Sequence, residues 1–177
     1  MKKLIKIIFK ILLSLLSLVL VVLLVVGGFF GIKGYHMYQD AVEEMPISEK
    51  VATIRQMDHF VEYEELPDIY IDAVISVEDK RFEEHHGVDY LAICRAVWND
   101  LRTLSFAEGG STITQQLMKN EYFTQEKKME RKFAEIFAAW EVEKQYDKED
   151  IFELYVNTIY FGSGYYGIYE AAEGYFG

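Results

Sequence analysis

The segment EDKRFEEHHG, residues 78–87, crowds Glu78, Asp79, Glu83 and Glu84 against His85 and His86. Such a set can bind a metal, move a proton or coat a solvated surface. Read as a helix, it puts Glu78, Phe82 and His85 on one face and Asp79, Glu83 and His86 on the next. Adjacent histidines point apart, unlike the i, i+4 pair of a helical zinc site, so metal binding is disfavoured. A carboxylate beside an aromatic ring is equipped for acid–base work near neutral pH. An acidic run is more often plain surface, so the segment decides nothing alone.

Three further stretches carry candidate chemistry. AEGGSTITQQLMKN breaks at Gly109-Gly110 and restarts where Thr112 and Gln115 match a capping box. The backbone N–H groups opening such a helix can hold an anion, although a capped turn and nothing more is the favoured reading of these residues alone. Between 111 and 132, Lys119, Lys127, Lys128, Arg131 and Lys132 form a basic island. Within it Arg131 and Glu135 are spaced i, i+4, a pair that on an exposed face contributes under about 0.5 kcal/mol. Last, six tyrosines between 155 and 175 could stack on sugar rings or simply pack.

These residues need a frame. Residues 11–32 hold no charge and, at about 1.5 Å per helical residue, span roughly 33 Å, enough for a bilayer core. Lys2, Lys3, Lys6 and Lys10 precede the run and no acid does, which predicts a single pass with residues 1–10 cytoplasmic and everything after Lys33 outside. The run is long for a cleaved leader and no A-x-A site follows, so an uncleaved anchor is expected. All 29 acidic residues lie beyond Lys33, with 13 of the 18 basic ones, a net charge of −16. Such a body has no general affinity for nucleic acid, and an anionic ligand must be met by a local cation cluster. The single Cys94 excludes an intrachain disulfide. With Leu91, Trp98 and Leu101 at helical spacing, it is expected in the core.

Residues 33–66 read as a linker or stalk, partly helical. From 67 onward the periodicity predicts helices through 69–82, from an Asp89 cap to about Leu104, from Thr112, over 126–146 with a stripe at Met129, Phe133, Ile136, Phe137 and Trp140, over 148–160, and a short one after GSGYYG. Nothing alternates like a long strand, so the class is mainly α.

Taken in order, the pieces resemble the peptidoglycan glycosyltransferases, the transglycosylase domain of bifunctional penicillin-binding proteins and their monofunctional relatives. E-D-x-x-F-x-x-H-x-G is met by Glu78, Asp79, Phe82, His85 and Gly87; G-G-S-T-I-T-Q-Q-L-x-K-N by residues 109–120; R-K-x-x-E by Arg131, Lys132 and Glu135. E-x-Y-x-N with Y-F-G-x-G-x-x-G-I is met by Glu153, Tyr155, Asn157 and residues 160–168. The resemblance implies a lysozyme-like helical domain with a small membrane-dipping lobe, to which Leu104, Phe106, Tyr122 and Phe123 are candidates. It implies polymerisation of lipid II on the outer face of a bacterial membrane, with Glu78 as general base and Glu135 as the second glutamate, on the donor side. Asp79, Phe82, His85, Gly110, Ser111, Thr112, Gln116, Lys119, Asn120, Arg131 and Lys132 would bind substrate, with Lys119 and Arg131 facing the departing pyrophosphate.

The implied partners are lipid II, the growing glycan strand, the membrane and further wall-building proteins, with no nucleic acid. No cofactor is required, and a divalent magnesium or manganese ion near Glu135 is the one candidate addition. The family's motif beyond Y-F-G is missing, so a domain read as 67–177 is expected to continue past the last residue. Two other readings stay open: a lysozyme-type wall hydrolase, and a non-catalytic anchored scaffold. The basic island argues against the first, since a hydrolase has no pyrophosphate to hold, and intact Glu78 and Glu135 against the second.

Overall fold

A computed structural model describes residues 2–103, 109–123 and 128–177. Leu104, Phe106, Lys127 and the start expected for the 126–146 helix lie outside these residues. Among the described residues the fold is mainly α: α1 (Lys2–Glu44), α2 (Ile47–Arg55), α3 (Asp68–Glu78), α4 (Tyr90–Thr103), α5 (Ile113–Tyr122), α6 (Met129–Gln145), α7 (Lys148–Thr158) and α8 (Ile168–Phe176). A two-stranded antiparallel hairpin, β1 (Tyr160–Gly162) and β2 (Tyr165–Tyr166), spans the YFGSGYY segment. Its turn uses positive φ at Gly162, Ser163 and Gly164.

The core gathers around α7, whose residues from Ile151 to Thr158 are all buried. Ile113 and Leu117 of α5 and Ala138 and Val142 of α6 meet it. Two expected caps are present. Thr112 accepts from the Gln115 N–H while Gln115 Oε1 accepts from the Thr112 N–H, and Asp89 Oδ1 accepts from the N–H groups of Leu91 and Ala92.

Four expectations change. The segment read as a stalk is built in: α1 runs unbroken to Glu44, and Ile47, Val51, Ile54 and Leu66 are core residues. Glu153 and Asn157 hold it there. Glu153 Oε2 accepts from the Tyr63 N–H at 3.0 Å, and the Asn157 amide accepts from Val61 N–H at 2.9 Å and donates to Val61 C=O at 2.8 Å.

The helix expected over 69–82 ends at Glu78. Asp79 turns out to φ −155°, and a 3₁₀ turn follows at Phe82–Glu84. The shared faces drawn for 78–86 therefore do not exist, and Asp79 rather than Glu78 is the partner of His85, at 2.9 Å.

Cys94 is exposed, not buried. Leu91, Val97, Trp98 and Leu101 are exposed with it, while Ala92, Ile93 and Ala96 face the protein. Spacing fixed which residues share a face of α4, but not which way that face looks. Finally, the stripe on α6 has the anchor for its partner: Phe133 meets Gly31 and Gly34, and Phe137 meets Tyr35 and Tyr38.

Phe82 is 1 % exposed, 6.3 Å from the Phe152 ring and 4.5 Å below the Lys148 ammonium. It supports the cleft from beneath rather than touching a ligand. Phe82→Ala should cost about 3–5 kcal/mol in chemical denaturation of the detergent-solubilised protein, and Phe82→Leu much less; an unchanged midpoint for Phe82→Ala would contradict this packing.

Candidate active site

Glu78 is the last residue of α3 and is exposed on the cleft surface. Its carboxylate is oriented from α5: Gln116 Nε2 donates to Glu78 Oε2 at 3.0 Å, and the Tyr155 hydroxyl donates to Gln116 Oε1 at 3.3 Å. Tyr155 is buried, and that burial first, then the Glu78 charge, raises its pKa. A phenol held neutral keeps its proton for Gln116, which in turn keeps its amide directed at Glu78.

Asp79 faces the other way. Its buried Oδ2 lies 2.9 Å from His85 Nε2 and accepts from the Ile113 N–H at 3.0 Å. A carboxylate on a helix N-terminus is electrostatically favoured. Thr112 adds a second stitch, donating to Gly87 C=O at 2.7 Å. The anion site expected at GGST is thus largely pre-empted, since the N–H groups of Thr112, Ile113 and Gln115 are taken by Gln115, Asp79 and Thr112 side chains. Gly87 at φ +84° brings its backbone close to Ala139, where a Cβ would lie 2.9 Å from the carbonyl carbon.

On α6, Glu135 is 1 % exposed and each of its oxygens is occupied. Arg131 Nη1 pairs with Oε1, and Lys132 Nζ with Oε2 at 2.9 Å. Lys132 also donates to Ser111 Oγ at 2.5 Å. The surface pair expected from spacing is a buried clamp aiming two cations at the α5 entrance. Glu135 is therefore a positioning group. A divalent ion does not fit it: both oxygens are used by cations, and among the described residues no three His, Cys, Asp or Glu side chains group as metal ligands.

Adjoining spaces surround Glu78. A cavity of 1060 Å³ is lined by Glu78, Gln116, Lys119, Asn120 and Glu121 together with Tyr70, Tyr155, Tyr160, Phe161 and Tyr166. A smaller space touches Glu78, Asp79, Gly110, Ser111 and Thr112. A third, of 220 Å³, is lined by Ser111, Gln116, Lys119, Arg131, Lys132 and Glu135. Gln116 and Lys119 border both the Glu78 cavity and the cation pocket, so the two lie side by side across these side chains. Phe82 and His85 line none of these spaces.

Sequence reading missed Tyr70 and Glu121 as wall residues. Burial pushes the Tyr70 hydroxyl up to about 12. It also raises Glu121, against the lowering pull of Lys50 at 3.8 Å. The tyrosine cluster was the one signal that could have found this wall, and it serves both uses: Tyr155 packs in the core, while Tyr160 and Tyr166 stand exposed 4.9 Å apart at the rim.

Comparison with known proteins gives the family. A family model described as Transglycosylase matches residues 45–177. The chain belongs to the transglycosylase family. It is 44 % identical over 122 residues to penicillin-binding protein 1A of Aquifex aeolicus, covering 69 % of this chain and 17 % of that one. It is 47 % identical over 116 residues to penicillin-binding protein 1F of Bacillus subtilis, covering 66 % and 16 %. Over 130 residues it is 42 % identical to a monofunctional glycosyltransferase of Staphylococcus saprophyticus, covering 73 % and 48 %. The chain thus spans about half or less of the length of these relatives. The mainly α frame behind one long apolar helix is the lysozyme-like arrangement expected of a transglycosylase domain.

Gln116 is the joint between Glu78 and the α5 wall. A crystal structure of Gln116→Ala should show the Glu78 carboxylate without its fixed orientation; a Glu78 carboxylate held in the same place would contradict that role.

Proposed function

We propose that this transglycosylase polymerises lipid II into glycan strands at the outer membrane face. Glu78 accepts the proton of the 4-hydroxyl of the acceptor's N-acetylglucosamine. That oxygen attacks the anomeric carbon of the donor's N-acetylmuramic unit. The bond from that carbon to the pyrophosphate oxygen breaks with inversion, and its electrons leave with undecaprenyl pyrophosphate. Lys119, Arg131 and Lys132 neutralise the growing phosphate charge, so no strong acid is needed at the leaving group. Glu135 holds Arg131 and Lys132, Ser111 also accepts from Lys132, and Gly110 and Asn120 shape the walls. The cavity on the Glu78 side has room and aromatic surface for a sugar.

The observation that carries this reading is that Gln116 and Lys119 border both the cavity holding the Glu78 carboxylate and the cation pocket. A hydrolase needs only water beside its base and has no use for that pocket.

In the same reading α1 is a single-pass anchor. The four N-terminal lysines stay in the cytoplasm and residues 67–177 form the working part of an extracellular domain. A substrate with a long isoprenoid tail never leaves the bilayer, so an anchored enzyme meets it at raised effective concentration. The outward apolar face of α4, carrying Leu91, Val97, Trp98 and Leu101, suits the membrane-dipping lobe better than Tyr122 and Phe123. Those two are half-buried against the core.

Glu78→Gln should abolish strand synthesis from lipid II with the thermal midpoint unchanged; near-normal synthesis would remove Glu78 as base. Lys119→Ala should weaken use of the donor more than use of the acceptor, and equal loss for both would contradict its placement beside the pyrophosphate.

A further inference from the structure

α1 does more than cross a bilayer. It is one continuous helix from Lys2 to Glu44, and its outer part forms the most extensive helix–helix contact among the described residues, with α6. The closest point is Gly34, the one buried residue of α1. A Cβ there would lie 2.4 Å from Phe133 Cβ, 2.6 Å from the Glu130 carbonyl oxygen and 2.9 Å from the Ala134 nitrogen. Real side chains do not approach backbone so closely, so only glycine lets the two helices touch here. Tyr35 and Tyr38 extend the contact to Phe137, at 5.2 and 6.2 Å between ring centroids.

The register of this contact is specific. The apolar run of α1 ends at Ile32, and Gly34 follows about 3 Å further along the helix. The turn of α6 that it touches, Glu130–Ala134, is the turn that carries Arg131 and Lys132. The phosphate-facing cations are therefore level with the point where the chain leaves the apolar segment. In a bilayer that is the headgroup layer, where the phosphates of membrane-held lipids lie. No proline interrupts the helix before Glu44, and it runs unbroken through Gly27, Gly28 and Gly31 to the contact.

We propose that α1 is a rigid strut, docked at Gly34, that sets the cation turn of α6 at the height of the lipid phosphates. This rests on the glycosyltransferase reading and adds to it. A flexible tether would only need to keep the domain nearby, whereas a strut requires a fixed length and a fixed angle. Gly34 is then a positioning residue for the pyrophosphate contacts.

The test uses the full chain in vesicles, with two insertions between Ile32 and Lys33, at the end of the apolar run. One adds seven polar helix-forming residues. Seven residues are close to two turns, so the docking face is kept while the domain rises about 10 Å. The other adds seven glycine and serine residues. The strut predicts that the helical insertion cuts polymerisation of vesicle-embedded, long-chain lipid II at least tenfold. It also predicts a wild-type rate on a short-chain, detergent-dispersed substrate, and recovery of most vesicle activity in the flexible insertion. A fluorophore on Met129→Cys in a Cys94→Ser background reads height directly: headgroup-level quenching should be strong in the parent and lost in the helical insertion. A helical insertion that polymerises the vesicle substrate at the parent rate, or keeps the parent's quenching, overturns the strut. A parent inactive on both substrates would overturn the glycosyltransferase reading instead, and the quenching would still judge the strut.

Discussion

The structure depends on one buried carboxylate. Asp79 leaves the end of α3 and places a single oxygen between the His85 ring and the first amide of α5. This joins the segment bearing the proposed base to the helix bearing the Gln116 and Lys119 wall. A charge-assisted bond of this kind contributes about 1.5–3 kcal/mol, and leaving a buried charge unpaired costs more. The exchange is demanding for Asp79 and productive for its neighbour: because residue 79 turns inward, residue 78 is left at the surface with its carboxylate free to work. Glu78 and Asp79 thus part into one surface and one buried carboxylate by the direction in which each side chain leaves the end of α3.

The far wall of the cleft follows the same logic. Glu135 is buried where a lone carboxylate would be costly, and Arg131 and Lys132 compensate it. That pairing fixes two long, flexible cations, with Lys132 also bonded to Ser111, so less side-chain entropy would remain to be lost on meeting an anion. The α6 helix bearing them is held on one side by α5 and α7 and on the other by α1. The anchor's extension is thus part of the frame that keeps the cation pocket in place.

Much of this was legible in the sequence where local rules decide. The Thr112–Gln115 and Asp89 caps, the α5 to α8 segments and the Arg131–Glu135 spacing all rest on contacts within a few residues. The failures share one cause, which is that tertiary partners choose among locally equal options. The helix expected to continue past Glu78 stops because Asp79 finds better partners in His85 and Ile113. The α4 stripe had the right spacing and the opposite orientation, because periodicity does not know whether water, protein or lipid lies outside. The motif residues Glu153 and Asn157 clamp the Val61–Tyr63 backbone, a task no spacing rule indicates. Tyr155 acts on Glu78 only through Gln116, across a sequence separation that hides it.

The central claim is that one carboxylate at position 78 works beside a phosphate-binding pocket formed by α5 and α6. The most direct measurement is a crystal structure with a non-reactive lipid II analogue that keeps its pyrophosphate. The account predicts phosphate oxygens within hydrogen-bond distance of Lys119, Arg131 or Lys132, and a sugar facing Glu78 in the 1060 Å³ cavity. Phosphates seated away from all three cations, with no sugar beside Glu78, would contradict it.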